Sequence, residues 1–113
     1  MIELYFAPLT RSIRIFWLLE ELGLDFDLRP IPFVSAGDEG FVQKTPTGKI
    51  PAITVDGSAL SESGAIVQHL LEIGDPFQRL SPRIGHPMRR KFLYWLHFTE
   101  ATAAQPINEL IWL

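Results

Sequence analysis

Residues 2–33, "IELYFAPLTRSIRIFWLLEELGLDFDLRPIPF", change hydrophobic period twice, and their reading decides the fold. Residues 2–6, "IELYF", are short, apolar and β-prone, and read as a strand that Pro8 interrupts. In "RSIRIFWLLEELG", Ile15, Leu18, Leu19 and Leu22 fall at helical spacing, and Gly23 supplies the stop. "DFDLRPIPF" then alternates Phe26, Leu28 and Ile31 with polar residues and reads as a second strand. Strand, helix, strand in that order implies a right-handed βαβ unit with parallel strands.

Downstream, residues 34–44 carry Gly37 and Gly40 and read as a loop with a short irregular helix. "AITVDGSAL", residues 52–60, sets Asp56-Gly57 between two apolar runs, a hairpin signal. "SESGAIVQHLLEIG" is a second helix with Ile66, Leu70 and Ile73 on its apolar face and Gly74 at its end. Asp75 to Pro87 has the Pro- and Arg-rich composition of a linker. Residues 88–113, "MRRKFLYWLHFTEATAAQPINELIWL", read as one helix kinked at Pro106. Phe92, Leu93, Trp95, Leu96 and Phe98 surround most of its circumference, so burial on several sides is expected. The preceding residues are too few to cover it. The expectation is that the chain is part of a longer one or meets a partner.

Composition narrows the chemistry. The 113 residues are 47% hydrophobic and 20% charged with a formal net charge of −3, which suits a soluble globular protein. That balance gives no case for nucleic acid. The basic band Arg79, Arg83, Arg89, Arg90 and Lys91 reads as a solvated linker. With no cysteine, disulfides, thiolate metal sites and CxxC exchange on the protein's own side chains are excluded. Any thiol chemistry must come from a ligand. His69, His86 and His97 lack metal-ligand spacing, so no metal is expected. Neither a signal peptide nor a membrane span is legible, so no membrane association and a cytoplasmic location are expected.

Three stretches are candidates for a site. In "TPTGKIP", residues 45–51, Pro51 stands where the next strand should start. Cis bonds occupy only about 5–6% of X-Pro sites, so the heptapeptide by itself favours an ordinary trans proline. A cis bond would instead turn Ile50 outward as an unpaired edge for an extended peptide. In "SES", residues 61–63, the amides of a helix N-terminus and the Ser63 hydroxyl suit a carboxylate, while Glu62 suits an ammonium group. The plainer reading is that Ser61 caps the helix and Glu62 complements its dipole. In "APLTRSIR", Thr10 and Ser12 put hydroxyls, and Arg11 and Arg14 put cations, at a helix start. Cations there oppose the macrodipole, a conflict an anionic ligand would relieve, although a simple cap with solvated arginines also fits.

Together these stretches resemble the glutathione transferase family. "WLLEELGLDFDL", "TPTGKIPAITVDG" and "LSESGAIVQHLLE" are similar to three of its signatures at family spacing, with Thr45 and Ile50 replacing the usual asparagine and valine. The resemblance implies an α/β thioredoxin-like βαβ-α-ββα glutathione-binding domain over residues 1–80. Residues 81–113 would then be a linker and the first helix of an all-helical second domain. It implies that Pro51 is cis, that the Ile50 backbone pairs with the cysteinyl part of glutathione, and that Glu62 and Ser63 hold the γ-glutamyl group. Lys49 would lie near the glycyl end. Family members place a Tyr, Ser or Cys after the first strand to stabilise the bound thiolate. Cysteine is absent and Tyr5 comes early, so Thr10 is the first candidate, Ser12 the second, and Arg11 an electrostatic aid. The implied activity is attack of the glutathione thiolate, as co-substrate, on a small electrophile or a peroxide, in a homodimer. A non-catalytic dimerisation or assembly module is the alternative.

Overall fold

The computed structural model describes residues 1–31 and 49–111. The expected loop and helix over 34–44 lie outside them. The chain divides into two compact units, Met1–Gly74 and Asp75–Leu113.

The first unit contains β1 (Ile2–Phe6), α1 (Ser12–Leu22), β2 (Asp27–Pro30), β3 (Ala52–Val55), β4 (Ser58–Ser61) and α2 (Ser63–Gly74). Its sheet has the order β2-β1-β3-β4. β1 runs parallel to β2 and antiparallel to β3, and β3 is antiparallel to β4. The parallel pair follows from the βαβ crossover and the antiparallel pair from the hairpin. Asp56 and Gly57 have φ of 50° and 84°, the two left-handed residues that a type I′ turn requires. The Met1 ammonium lies 2.6 Å from Asp56 Oδ1 and holds that carboxyl below the usual carboxylate range.

Alternation along β1 sorts the sheet into two faces. Leu4, Ile53, Ile15, Leu19, Ile66 and Leu70 are fully buried on the helix-covered face. Each such side chain contributes about 1.5–3 kcal/mol of burial. The other face carries Glu3, whose carboxylate accepts from Arg29 Nε at 2.7 Å and Thr54 Oγ1 at 2.9 Å, tying β2, β1 and β3 together. Phe16 meets Phe6 of β1 and Phe26, just before β2, at ring separations of 5.8 and 5.7 Å, and so fixes α1 against the segments on either side of it in sequence.

Helix ends behave as their glycines predict. Gly23, at φ 66°, closes α1, and Leu24 N donates to Leu19 O at 3.2 Å in a Schellman arrangement. Gly74 ends α2 against Leu24; a Cβ there would come within 2.7 Å of Leu24 Cδ1. The buried stripe of α2 differs from the expected one. Leu71 is buried while Ile73 is about half exposed, because the stripe follows residues 66, 70 and 71 rather than advancing to 73.

The second unit opens on an acidic clamp. Asp75 Oδ1 accepts from the Arg79 amide at 2.9 Å, and Oδ2 accepts from the Leu80 and Ser81 amides at 2.9 Å and the Ser81 hydroxyl at 3.0 Å. Burial pushes this carboxyl up, but the three amides and the hydroxyl outweigh it and hold the group below its ordinary range. His86 Nδ1 accepts from Met88 N at 3.0 Å just before α3 (Arg89–Phe98), so that histidine shapes a helix entry.

The last helix breaks earlier than expected. A π segment, Thr99–Ala103, separates α3 from α4 (Ala104–Ile111), and Pro106 sits inside α4. A helical proline clashes with the carbonyl four residues back, here Thr102, so the distortion falls in the preceding turn. Thr99 Oγ1 also donates to Trp95 O at 2.8 Å, a bond that bends helices. No residue of α3 is buried, as expected of an apolar helix that the rest of this chain is too short to cover. Its rings pack on one another instead, with Trp95 5.0 Å from Tyr94 and 5.2 Å from Phe98.

Replacing Asp75 with Ala removes the acceptor of the clamp and is expected to cost about 1.5–3 kcal/mol at neutral pH. A lowered folded pKa means that this stability is present above the unfolded value and is lost as pH falls through the folded one. Exchange of the Leu80 and Ser81 amides, corrected for its intrinsic pH dependence, checks this. The two proteins should differ at neutral pH and converge in acid; equal exchange throughout would show that the clamp contributes nothing.

Candidate functional site at one end of the sheet

Register places the candidate residues together. Tyr5 pairs with Ala52 and Ala52 with Ser61, so the end of β1, the start of β3 and the end of β4 share one edge of the sheet. The next residues at that edge are Ala7 to Ser12, Ile50–Pro51 and Glu62–Ser63. Tyr5 itself is buried in β1 with Ala52, beside Ile31 and Ile50.

The turn from β1 into α1 is built on hydroxyls. Ala7 and Ser12 are fully buried. Ser12 Oγ accepts from Ala7 N at 3.2 Å and lies 3.1 Å from Ala7 O. Thr10 Oγ1 donates to Ala7 O at 2.7 Å, accepts from Ser12 N at 3.3 Å and lies 2.6 Å from Ser12 Oγ. The N-cap position falls on Arg11 in right-handed helical geometry without a side-chain cap, so neither hydroxyl caps α1 in the ordinary way. Thr10 is half-buried, whereas Leu9 is 95% exposed and held at φ 61°.

The entry to α2 lies alongside. Arg14 Nη2 donates to Ser63 Oγ at 3.5 Å, linking the first turns of α1 and α2. Ser63 is buried as the first residue of α2, and Glu62 before it is exposed. Glu62 adopts φ 72° while its carbonyl accepts from Ile66 N at 2.9 Å. A left-handed glutamate is uncommon and costs of order 1–2 kcal/mol. Such outliers concentrate where a ligand or active site uses the backbone. Ser61 does not cap the helix: it closes β4, is buried, and its Oγ has no hydrogen-bond partner among the described residues.

The Ile50–Pro51 peptide bond is cis. Pro51 is buried, Ile50 is half-buried and Lys49 is exposed. Chemically, this edge offers the N-terminal amides of α2, hydroxyls at Thr10 and Ser63, the cations Arg11 and Arg14, and one exposed carboxylate at Glu62. That set matches a ligand carrying both signs of charge. Sequence reasoning placed Arg14 at the turn but missed its contact with Ser63, which joins residues 49 positions apart. Ser12 could have been placed inside from its spacing, because it precedes Ile15 and Leu19 on the same stripe. An open depression of about 470 Å³, lined by Phe16, Leu19, Leu24, Phe26 and their neighbours, lies toward the other end of α1.

Comparison with known proteins points the same way. The family profile described as "Glutathione S-transferase, N-terminal domain" matches residues 4–76. Glutathione S-transferase 3 of Schizosaccharomyces pombe is 32% identical over 104 residues, covering 90% of this chain and 42% of the relative. The disulfide-bond oxidoreductase YfcG of Escherichia coli is 40% identical over 81 residues, covering 64% of this chain and 38% of that protein. A crystal structure of a glutathione transferase homologue from Lodderomyces elongisporus, with two GSH per subunit, is 34% identical. It superposes with a TM-score of 0.79 over 88% of this chain and 50% of its own. The chain thus spans about half the length of the proteins it matches or less. With the profile covering most of the βαβ unit, the hairpin and α2, the chain belongs to the glutathione S-transferase family.

Proposed function

We propose that this chain binds glutathione at the shared edge of β1, β3 and β4, stabilises its thiolate and promotes attack on an electrophile or a peroxide. The Arg14–Ser63 contact carries the reading, because it draws the first turns of two helices to one place. The glutathione in the Lodderomyces structure supports the choice of ligand.

Each residue then has a task. Ser63 and the first amides of α2 donate to the γ-glutamyl carboxylate, while Glu62 accepts from its ammonium group. The Ile50 backbone, next to Pro51, pairs with the cysteinyl residue by strand addition. Lys49 lies toward the glycyl carboxylate. Thr10 donates to the sulfur, with Arg11 adding positive charge and Ser12 held behind it. A free thiol has a pKa of about 8.5, and each unit of depression represents about 1.4 kcal/mol of preference for the anion. The thiolate attacks the electrophilic carbon and expels its leaving group, or attacks a peroxide oxygen and forms a sulfenate and an alcohol. By the name of the Escherichia coli relative, the same anion extends to attack on a disulfide, which needs no protein cysteine. Residues 1–80 would be the glutathione-binding domain, and 81–113 a linker and the first helix of a helical domain, in a cytoplasmic homodimer.

One observation favours a second reading, a non-catalytic assembly module. The hydroxyls of Thr10 and Ser12 are both engaged within their own turn. Binding without turnover on conjugation, peroxide or disulfide substrates would select that reading.

Ser63→Ala removes a hydrogen bond to a charged group, worth roughly 1.5–3 kcal/mol, so glutathione affinity should fall at least tenfold by calorimetry. Unchanged affinity would remove Ser63 from the site. Glu62→Gly separates backbone from side chain: it relieves the left-handed strain, so stability to urea should hold within about 1 kcal/mol, while glutathione affinity drops. Retained affinity would contradict the ammonium contact.

A further inference from the structure

We propose that Ser12 is a positioning residue that frees the Thr10 proton for the sulfur; the proposal rests on Thr10 being the thiolate donor. A hydroxyl has one proton and two acceptor sites. Ala7 is fully buried, and its carbonyl lies 2.7 Å from Thr10 Oγ1 and 3.1 Å from Ser12 Oγ. Two protons serve three oxygen–oxygen contacts, so each of two assignments fills two of them. In the first, Thr10 donates to Ala7 O and Ser12 donates to Thr10 Oγ1 across 2.6 Å. In the second, Ser12 donates to Ala7 O and Thr10 donates to Ser12 Oγ, so the Thr10 proton points away from that carbonyl. In both, Ser12 Oγ still accepts from Ala7 N.

Only the second lets Thr10 turn its proton to a ligand while Ala7 O keeps a donor, at the cost of the Thr10–Ser12 bond. Without Ser12, turning the Thr10 proton toward sulfur would strip the buried Ala7 carbonyl of its donor, a desolvation penalty set against the thiolate. With Ser12, the donor at Ala7 O is exchanged rather than lost. The step is the ionisation of the bound thiol: the S–H bond breaks, its proton goes to water, and Thr10 O–H donates to the resulting S⁻ while Ser12 O–H takes over Ala7 O. The full burial of Ser12 suits this role, because Ser12 itself cannot reach a ligand.

The test is a double-mutant cycle on the thiol pKa of glutathione bound to the full chain, read from thiolate ultraviolet absorbance against pH. Thr10→Val should raise that pKa by about one unit, or roughly tenfold less thiolate at neutral pH. Ser12→Ala should raise it by roughly 0.5–1 unit in the wild-type background and by nothing in the Thr10→Val background. Ser12→Cys, which keeps the volume with a weaker donor, should fall between wild type and Ser12→Ala and serves if the alanine variant does not fold. A Ser12 effect that persists without the Thr10 hydroxyl, or no Ser12 effect, overturns the positioning role alone. An unchanged pKa in Thr10→Val overturns Thr10 as donor and this proposal with it. Absence of glutathione binding by the wild-type chain overturns the proposed function itself.

Discussion

Ala7 ends a strand whose ladder stops one residue earlier, and its buried N–H and C=O must find partners elsewhere. Ser12 and Thr10 supply them with side-chain oxygens. Much else follows from this one requirement. Reaching back five residues bends the chain sharply, forces Leu9 to φ 61°, and starts α1 directly above the end of β1. From that start, helical spacing carries Ile15 and Leu19 into the core and sends Arg14 toward Ser63. A hydroxyl network that serves first as a fold device therefore stands where the proposed thiol chemistry needs a donor.

The same economy applies at the other two segments. Antiparallel pairing of β3 with both neighbours brings Ile50–Pro51 and Glu62–Ser63 to the edge that the Ala7 turn occupies. The starts of both helices are linked there by Arg14, which donates to the Ser63 hydroxyl. Local rules are broken there in a consistent way. A glutamate sits in left-handed geometry, a leucine does the same in full exposure, and two arginines crowd a helix N-terminus. Such conflicts persist where the surrounding fold over-determines them, and a bound anion would offset the electrostatic one.

Much of the fold was legible because its signals are local. The 3.6-residue spacing of Ile15, Leu19 and Leu22, the stop at Gly23 and the pair Asp56-Gly57 each act within a few residues of themselves. The stripe of α2 was less legible, since Ile66, Val67, Leu70 and Ile73 fit two nearby faces and only packing against α1 chooses between them. Pro106 announced a break but not its place, because the clash it makes is with the carbonyl four residues earlier. For the site, "SES" and "KIP" were readable as chemistry, whereas the roles of Thr10 and Ser12 were not separable by sequence. Burial separates them, and burial depends on long-range packing.

The central claim is that the edge joining Ala7–Ser12, Ile50 and Glu62–Ser63 is a glutathione site. Amide NMR of the nitrogen-labelled chain during titration with reduced glutathione tests it most directly. The account predicts saturable shifts at Thr10, Ile50, Ser63, Gly64 and Ala65, with little change along α3. Shifts confined to α3, or none at the sheet edge at saturating glutathione, would contradict it.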